Sequence, residues 1–493
     1  MVNNGASGAC YACKQRHKKC DETRPSCLRC SRAHRQCPGY NASRELKFVN
    51  YAGETTCELA HQQSASLLHH STHIDVHEWP AIKHNARSAF FNDYCITSKD
   101  QTLSRGYLNG LETMITKAGP TSEVAKACTI IALASLGKKV GDPMFLHAAE
   151  NLHSLLLRSF RLSISNETAS ASVESLITAV LLGLYEIITS TDAYHGAHIA
   201  HARGISAILI SKQSPFDLVC GGKLFQLSNP LPLEDLDLDN SGLQHLQYSL
   251  MKDTKVSPIF SVLCTPLVKQ SNTTIESIFI QTASLILRAR SLIADEATTI
   301  DQLYCLKLDA EQLDERYNAW SENIPDEWQP RSVGVITLKN DETTPPAGYW
   351  PGTISSYKDA YIASIWDGYR KARLMVLEII LDCYKRINTS HYLEVDSSIH
   401  KKTEELIGGI VSSIPYFLAA DLQVFLKNST TGTPSIVPGR PVGGLLLMNT
   451  LWALMTISMV EPRLKSYLKD CLAWVGNHMG LGQATILSKV RYR

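Results

Sequence analysis

Six cysteines are concentrated in residues 10–37 of this 493-residue chain, and they constrain its fold more than any other feature. They form the pattern C-x2-C-x6-C twice, and each cysteine of the second copy follows its counterpart by 17 residues. This short internal repeat predicts two similar loop–helix units. The six residues are Cys10, Cys13, Cys20, Cys27, Cys30 and Cys37.

Thiolates at this spacing suit zinc, which takes four tetrahedral ligands in structural sites. Two zinc ions need eight coordination positions, and six cysteines supply eight if two thiolates bridge both metals. A module of about 28 residues buries too little surface to fold alone, so metal binding would supply the free energy of folding. The pattern therefore predicts two Zn²⁺ ions as cofactors, with all six cysteines as ligands.

A disulfide framework, an iron–sulfur cluster and a zinc module that binds only protein are the alternatives. The chain begins MVNNGASGAC, which lacks the long apolar segment of a secretory signal, and this disfavours disulfides. The repeated C-x2-C-x6-C spacing is not that of a ferredoxin. Thiolate-bound zinc is therefore the interpretation that we favour.

Basic residues are concentrated around the cysteines. Residues 1–47 hold ten Lys or Arg and three Asp or Glu, a net charge of +7, whereas the whole chain carries only +1. A compact basic head is the electrostatic footprint of a nucleic-acid binder. The run KQRHKK at 14–19 is also typical of a nuclear import signal. The charge pattern predicts a nucleic acid as a partner and the nucleus as the location, and together with the six-cysteine pattern it favours double-stranded DNA.

The cysteine segment resembles a known family. The residues CYACKQRHKKCDETRPSCLRC, starting at Cys10, and the later CPGY, starting at Cys37, are similar to the fungal Zn2Cys6 binuclear cluster. In that family the first and fourth cysteines bridge the two metals, which implies that Cys10 and Cys27 do so here. The resemblance also implies that a helix after the second cysteine enters the major groove.

The same resemblance implies which residues contact DNA. Arg16 and His17 fall where the family reads the bases of a CGG-like triplet. Contacts to the DNA backbone are expected from Lys14, Lys18 and Lys19. The family usually has Lys at the position of His17, and a neutral histidine offers one donor and one acceptor instead of an ammonium group. The triplet preference therefore stays open.

Beyond the module, the chain has the pattern of an all-α protein with a large helical regulatory domain. We predict a disordered N-terminus over 1–9, the zinc module over 10–40, a linker over 41–80 and the helical domain over 81–493. Apolar residues in the last segment recur with a period near 3.6, and long β-type alternation is scarce.

Local signals predict individual elements of this body. Thr121 and Ser122 can cap a helix over 121–136, and the apolar period continues through 354–386. Stretches 332–352 and 428–441 contain several Pro, Gly and polar residues, so we predict surface loops there. Residues 442–460 contain no charge over 19 positions, yet six polar or glycine residues favour a buried core helix over a membrane span. We expect no membrane as a partner.

The body also resembles the fungal-specific regulatory domain, through LLGLYE at 181–186 followed by HGAH at 195–198. His195, His198 and His201 are spaced by three, and without a carboxylate they make a poor metal site. No P-loop, G-x-S-x-G or H-E-x-x-H occurs, so we do not expect an enzyme. Acids alternate with leucines at 231–239, which is typical of activation segments or of a helix-capping acidic loop.

Together these observations predict a zinc-dependent, sequence-specific regulator of genes transcribed by RNA polymerase II. The resemblance further implies activation, contact with the transcription machinery and control of a gene cluster such as one for secondary metabolism. No sustained heptad follows the cysteines, which leaves room for a monomer or for a homodimer that forms through the helical body. The alternative is a helical scaffold or ligand sensor whose zinc module binds protein.

Overall fold

The structure is a computed structural model, in which the chain divides into two compact units, residues 1–75 and 76–493. It describes residues 10–16, 20–21, 27–33, 35, 37, 79–99, 103–104, 106–165, 172–191, 198, 200–201, 204–205, 275–337, 345–387, 392–431 and 435–490. The predicted terminal disorder over 1–9, most of the linker and the acidic segment 231–239 lie outside these residues.

The N-terminal unit contains two short helices in its described part, α1 (Tyr11–Gln15) and α2 (Leu28–Arg32). Each begins directly after a cysteine and carries a second cysteine one turn later. The repeat seen in the sequence is therefore a repeat of structure, since both halves have the order cysteine, helix, cysteine.

The larger unit is helical, which confirms the all-α fold class. Its first helices are α3 (Trp79–Tyr94), α4 (Leu111–Ala118), α5 (Glu123–Val140), α6 (Pro143–Ile164), α7 (Val173–Thr189), α8 (Ile275–Ala294) and α9 (Ile300–Glu322). After a two-stranded hairpin follow α10 (Ala360–Ile387), α11 (Tyr392–Leu418), α12 (Leu422–Thr431), α13 (Pro441–Thr456), α14 (Pro462–Met479) and α15 (Gly482–Lys489).

Two groups of helices build the core of this unit. In the first group α5 packs against α3, α4, α6 and α7, and in the second α10 packs against α8, α9, α11 and α13. α13 also contacts α3, and α15 contacts α7, so the two groups share one core. The start of α5 follows its sequence signal, because the Ser122 side chain accepts the N–H of Ala125 at 3.3 Å.

The charge-free stretch at 442–460 is a core helix, as predicted. Thirteen of the sixteen residues of α13 are buried, which explains why it is apolar all round. A Cβ at Gly443 would lie 2.2 Å from the carbonyl oxygen of Phe417 in α11, so only glycine permits this close packing. None of the helices in the described part of the chain is long and apolar enough to cross a membrane.

Two of the element predictions were wrong in part. Residues 428–431, predicted to lie in a surface loop, form the end of helix α12. Residues 354–356, expected at the start of a helix, belong to strand β2 (Gly352–Ser356), which pairs antiparallel with β1 (Arg331–Ile336) in a stretch predicted to be loop. The reason is tertiary packing. Tyr349 stacks on Phe425 of α12 at 4.5 Å between ring centroids, and Ile336 and Ile354 are buried beside them. This small core anchors the hairpin and overrides the local period.

Candidate metal centre

The two short helices hold the cysteines in equivalent ways. In the first half, the Cys10 thiol sulfur accepts the backbone N–H of Cys13 at 3.4 Å. In the second half, Cys27 occupies the N-cap position of α2, and its sulfur accepts the N–H of Cys30 at 3.3 Å. Each C-x2-C pair is therefore closed by one N–H···S bond at a helix N-terminus, where the helix dipole favours a thiolate.

Asp21 joins the two halves of the module. One of its carboxylate oxygens accepts the N–H of Leu28 at 2.9 Å, and the other accepts the N–H of Arg29 at 3.0 Å. These donors belong to the first turn of α2, whose N–H groups have no partner within the helix. Sequence reasoning did not single out this aspartate, because the signal depends on a contact across seven residues rather than on a helix-capping position.

The six thiols gather in two overlapping groups of four. One group contains Cys10, Cys13, Cys20 and Cys27, and the other contains Cys10, Cys27, Cys30 and Cys37. Within each group the sulfur atoms all lie within 4.8 Å of one another. Cys10 and Cys27 are members of both groups, and each is 0% exposed. The arrangement supplies eight coordination positions from six residues.

The distances between sulfur atoms fit zinc. Cys10 and Cys27 are 3.6 Å apart, and the Cys10–Cys30 and Cys13–Cys27 pairs are each 3.8 Å apart. Ligands about 2.3 Å from a tetrahedral zinc ion are separated by about 3.8 Å, so these pairs match the edges of such a tetrahedron. A disulfide would require about 2.05 Å, and none of the six cysteines forms one.

Without a metal, ionising these packed thiols is unfavourable. Burial raises the pKa of Cys10, Cys13 and Cys27 above the ordinary thiol value. Bound zinc has the opposite effect, because a coordinating thiol is deprotonated outright. Six thiolates and two Zn²⁺ ions leave two excess negative charges, which the basic residues of the module can balance.

Several basic side chains surround the cluster. Arg16, which follows α1, is exposed, and so are Arg29 and Arg32 in α2 and Arg35 after it. His17, Lys18 and Lys19 lie outside the described residues, as does the side chain of Lys14. The structure thus presents one of the five predicted DNA contacts, Arg16, to solvent at the end of the first helix.

Comparison with known proteins agrees with this geometry. A model of the fungal Zn(2)-Cys(6) binuclear cluster domain matches residues 8–46. Over 413 residues the chain is 33% identical to the transcription factor dbaG of Emericella nidulans, an alignment that covers 83% of this chain and 91% of that protein. No solved structure matches the chain.

The chain therefore belongs to the fungal Zn2Cys6 transcription factors. Its N-terminal domain is of the kind that binds two zinc ions, and the structure shows the cysteine cluster that can hold metal. The protein is a DNA-binding regulator of transcription.

Proposed function

We propose that this protein is a nuclear activator that reads CGG-like triplets through its zinc module and houses its regulation in the helical body. The observation that carries the proposal is the pair of four-thiol groups that share Cys10 and Cys27. In this assignment both sulfurs bridge, one zinc ion is completed by Cys13 and Cys20, and the other is completed by Cys30 and Cys37.

Base reading is assigned to the end of the first helix. Arg16 is exposed directly after α1, where its guanidinium can make bidentate hydrogen bonds to a guanine edge. His17 is proposed as its neighbour in base reading. Lys14, Lys18 and Lys19 are proposed to contact phosphates, which adds affinity but no sequence information.

Selection of bound sequences from random DNA tests this assignment, using the full chain loaded with zinc. We expect enrichment of a CGG-like triplet, and Arg16→Ala should abolish the preference because a bidentate pair to a base contributes about 1–3 kcal/mol of discrimination. Arg35→Ala is the matched control, since that arginine is also exposed in the module but lies outside the predicted reading segment. An unchanged preference in the Arg16 variant would refute the assignment.

The salt dependence of binding separates this proposal from a zinc module that binds protein. Each phosphate contact releases counterions, so DNA affinity should fall steeply as salt increases. Replacing Lys18 by Ala should reduce the slope of log affinity against log salt by about 1 and leave the preferred sequence unchanged. Absence of a slope would favour the helical scaffold or ligand sensor instead.

Activation of RNA polymerase II genes, control of a gene cluster and homodimerisation belong to the same proposal. A reporter carrying the selected sequence should rise when the protein is expressed, and a fluorescent fusion should accumulate in the nucleus. Repression of the reporter would reverse the direction of control. Sedimentation of the full chain would decide between monomer and dimer.

A further inference from the structure

A second group of potential metal ligands lies in the helical body. His153 comes from α6, Glu186 comes from α7, and His201 lies in a short helical stretch beyond α7. One ligand atom from each residue lies within 4.8 Å of the other two. The sequence pattern did not predict this group, because the histidines near 200 had no carboxylate at helical spacing and His153 is 48 residues before His201.

The atoms are close, but they are not joined by hydrogen bonds. The Nε2 atom of His153 is 3.5 Å from Oε1 of Glu186, and Nε2 of His201 is 3.9 Å from the same oxygen. Hydrogen bonds between nitrogen and oxygen are normally about 2.7–3.2 Å long. The side chain of His153 is only 8% exposed, and its buried Nε2 atom has no hydrogen-bond partner.

The shorter of these two separations matches the spacing of two ligands around one ion. Two ligands about 2.05 Å from a tetrahedral zinc ion lie about 3.4 Å apart, near the shorter of the two distances. Two imidazoles and one carboxylate are also a ligand set that zinc uses when it keeps one position open. A buried polar nitrogen needs a partner, and a cation held between it and the carboxylate would supply one.

The surroundings hold the first ligand in place. Tyr185 stacks on the imidazole of His153 with 4.1 Å between ring centroids, which orients the ring. Burial lowers the pKa of His153 to about 4, so the imidazole is neutral near pH 7 and its nitrogen lone pair is available. The carboxylate of Glu186 supplies the anionic ligand that a divalent cation needs.

We propose that His153, Glu186 and His201 bind one Zn²⁺ ion in the regulatory body, in addition to the two ions of the N-terminal cluster. The three ligands come from three separate segments, so the ion ties α6 and α7 to the stretch around residue 201. A ligand that binds only the folded state stabilises it by mass action. The stability of the folded body should therefore rise with the concentration of free zinc. The fourth position is left for water or an anionic ligand.

Counting zinc in the full chain tests the proposal. The purified protein is loaded with Zn²⁺, dialysed against metal-free buffer and analysed by elemental mass spectrometry. We expect three ions per chain in the wild type and two in His201→Gln. The matched control is His147→Gln, because His147 is also on α6 but its side chain is 75% exposed, and it should keep three ions.

A second variant separates loss of the ion from loss of folding. Glu186→Gln keeps the size of the side chain and removes its charge, and it should also hold two ions with unchanged helicity by circular dichroism. Added Zn²⁺ should raise the melting temperature of the cluster-loaded wild type but not that of either site variant. A wild type that holds two ions, or site variants that keep three, would overturn the proposal and leave a water-filled polar contact.

Discussion

The ion pair between Asp314 and Arg373 offers a sharp test of how the body is held together. Asp314 of α9 accepts a hydrogen bond from Nε of Arg373 in α10 at 2.5 Å and another from Nζ of Lys402 in α11 at 2.9 Å. The side chains of Asp314 and Arg373 are only 9% and 8% exposed. A single carboxylate therefore links three helices inside the protein.

Replacing this aspartate should be costly. Asp314→Asn leaves the Arg373 guanidinium buried without a counter-ion, and breaking a buried pair in this way costs about 3–5 kcal/mol. The lower end is expected, because Arg373 keeps hydrogen bonds to Tyr369 and Asn318. Lys402 is 44% exposed and can turn to water.

The same helix supplies the control. Asp309 of α9 pairs with Arg288 of α8, but those side chains are 49% and 48% exposed. Asp309→Asn should therefore cost about 0.2–1 kcal/mol, as exposed pairs do. Urea denaturation of the full chain, followed by circular dichroism, measures both losses under the same conditions. Equal losses in the two variants would refute the argument that burial determines the cost.

The pH dependence of stability gives a second test of the pair between Asp314 and Arg373. Burial alone would raise the pKa of Asp314, but Arg373 and Lys402 outweigh it and hold the pKa below the ordinary carboxyl value. Its contribution is then fully present above the unfolded pKa of about 3.9 and is lost as the pH falls through the folded value. The difference in the free energy of unfolding between the wild type and Asp314→Asn should therefore decrease as the pH falls from the unfolded pKa through the folded pKa. A difference that stays constant would contradict this.

Three further predictions concern the zinc module and the core. Cys10→Ser should lose both cluster zinc ions, whereas Cys37→Ser should lose only one, because Cys10 belongs to both thiol groups and Cys37 to one; elemental analysis decides, and equal losses would count against bridging. Leu451→Ala should cost about 2–5 kcal/mol in urea denaturation, since Leu451 is 0% exposed in α13; a loss below 1 kcal/mol would contradict close packing. Ser122→Ala should cost about 1 kcal/mol by removing the cap of α5, and an unchanged stability would show that the cap is dispensable.

The zinc module was largely predictable from the sequence because its determinants are local. The cysteine spacing limits which sulfur atoms can reach one metal, so the repeated pattern alone indicated two similar units. The spacing did not predict the two hydrogen bonds that Asp21 makes to α2. An aspartate seven residues before a helix has no general signature, and only the folded loop brings it there.

The body shows where periodicity stops being informative. The capping signal at Ser122 and the charge-free run that became α13 were both interpreted correctly, because helix start and burial leave marks within a few residues. Strand β2 was missed, since Ile354 fits the apolar period that continues into α10. Its partner strand and the aromatic contact of Tyr349 with Phe425, which select the extended conformation, lie outside any local window.

The same limit explains why one group of potential metal ligands could be predicted from the sequence and the other could not. The cluster cysteines fall within 28 residues, so their chemistry can be seen before any fold is known. His153, Glu186 and His201 become neighbours only when α6 and α7 pack around α5. A site of this second kind depends on the folded body for its geometry, and metal binding there should in turn depend on that body's stability. Substitutions that loosen the core, such as Leu451→Ala, should therefore weaken zinc binding in the body and spare the cluster.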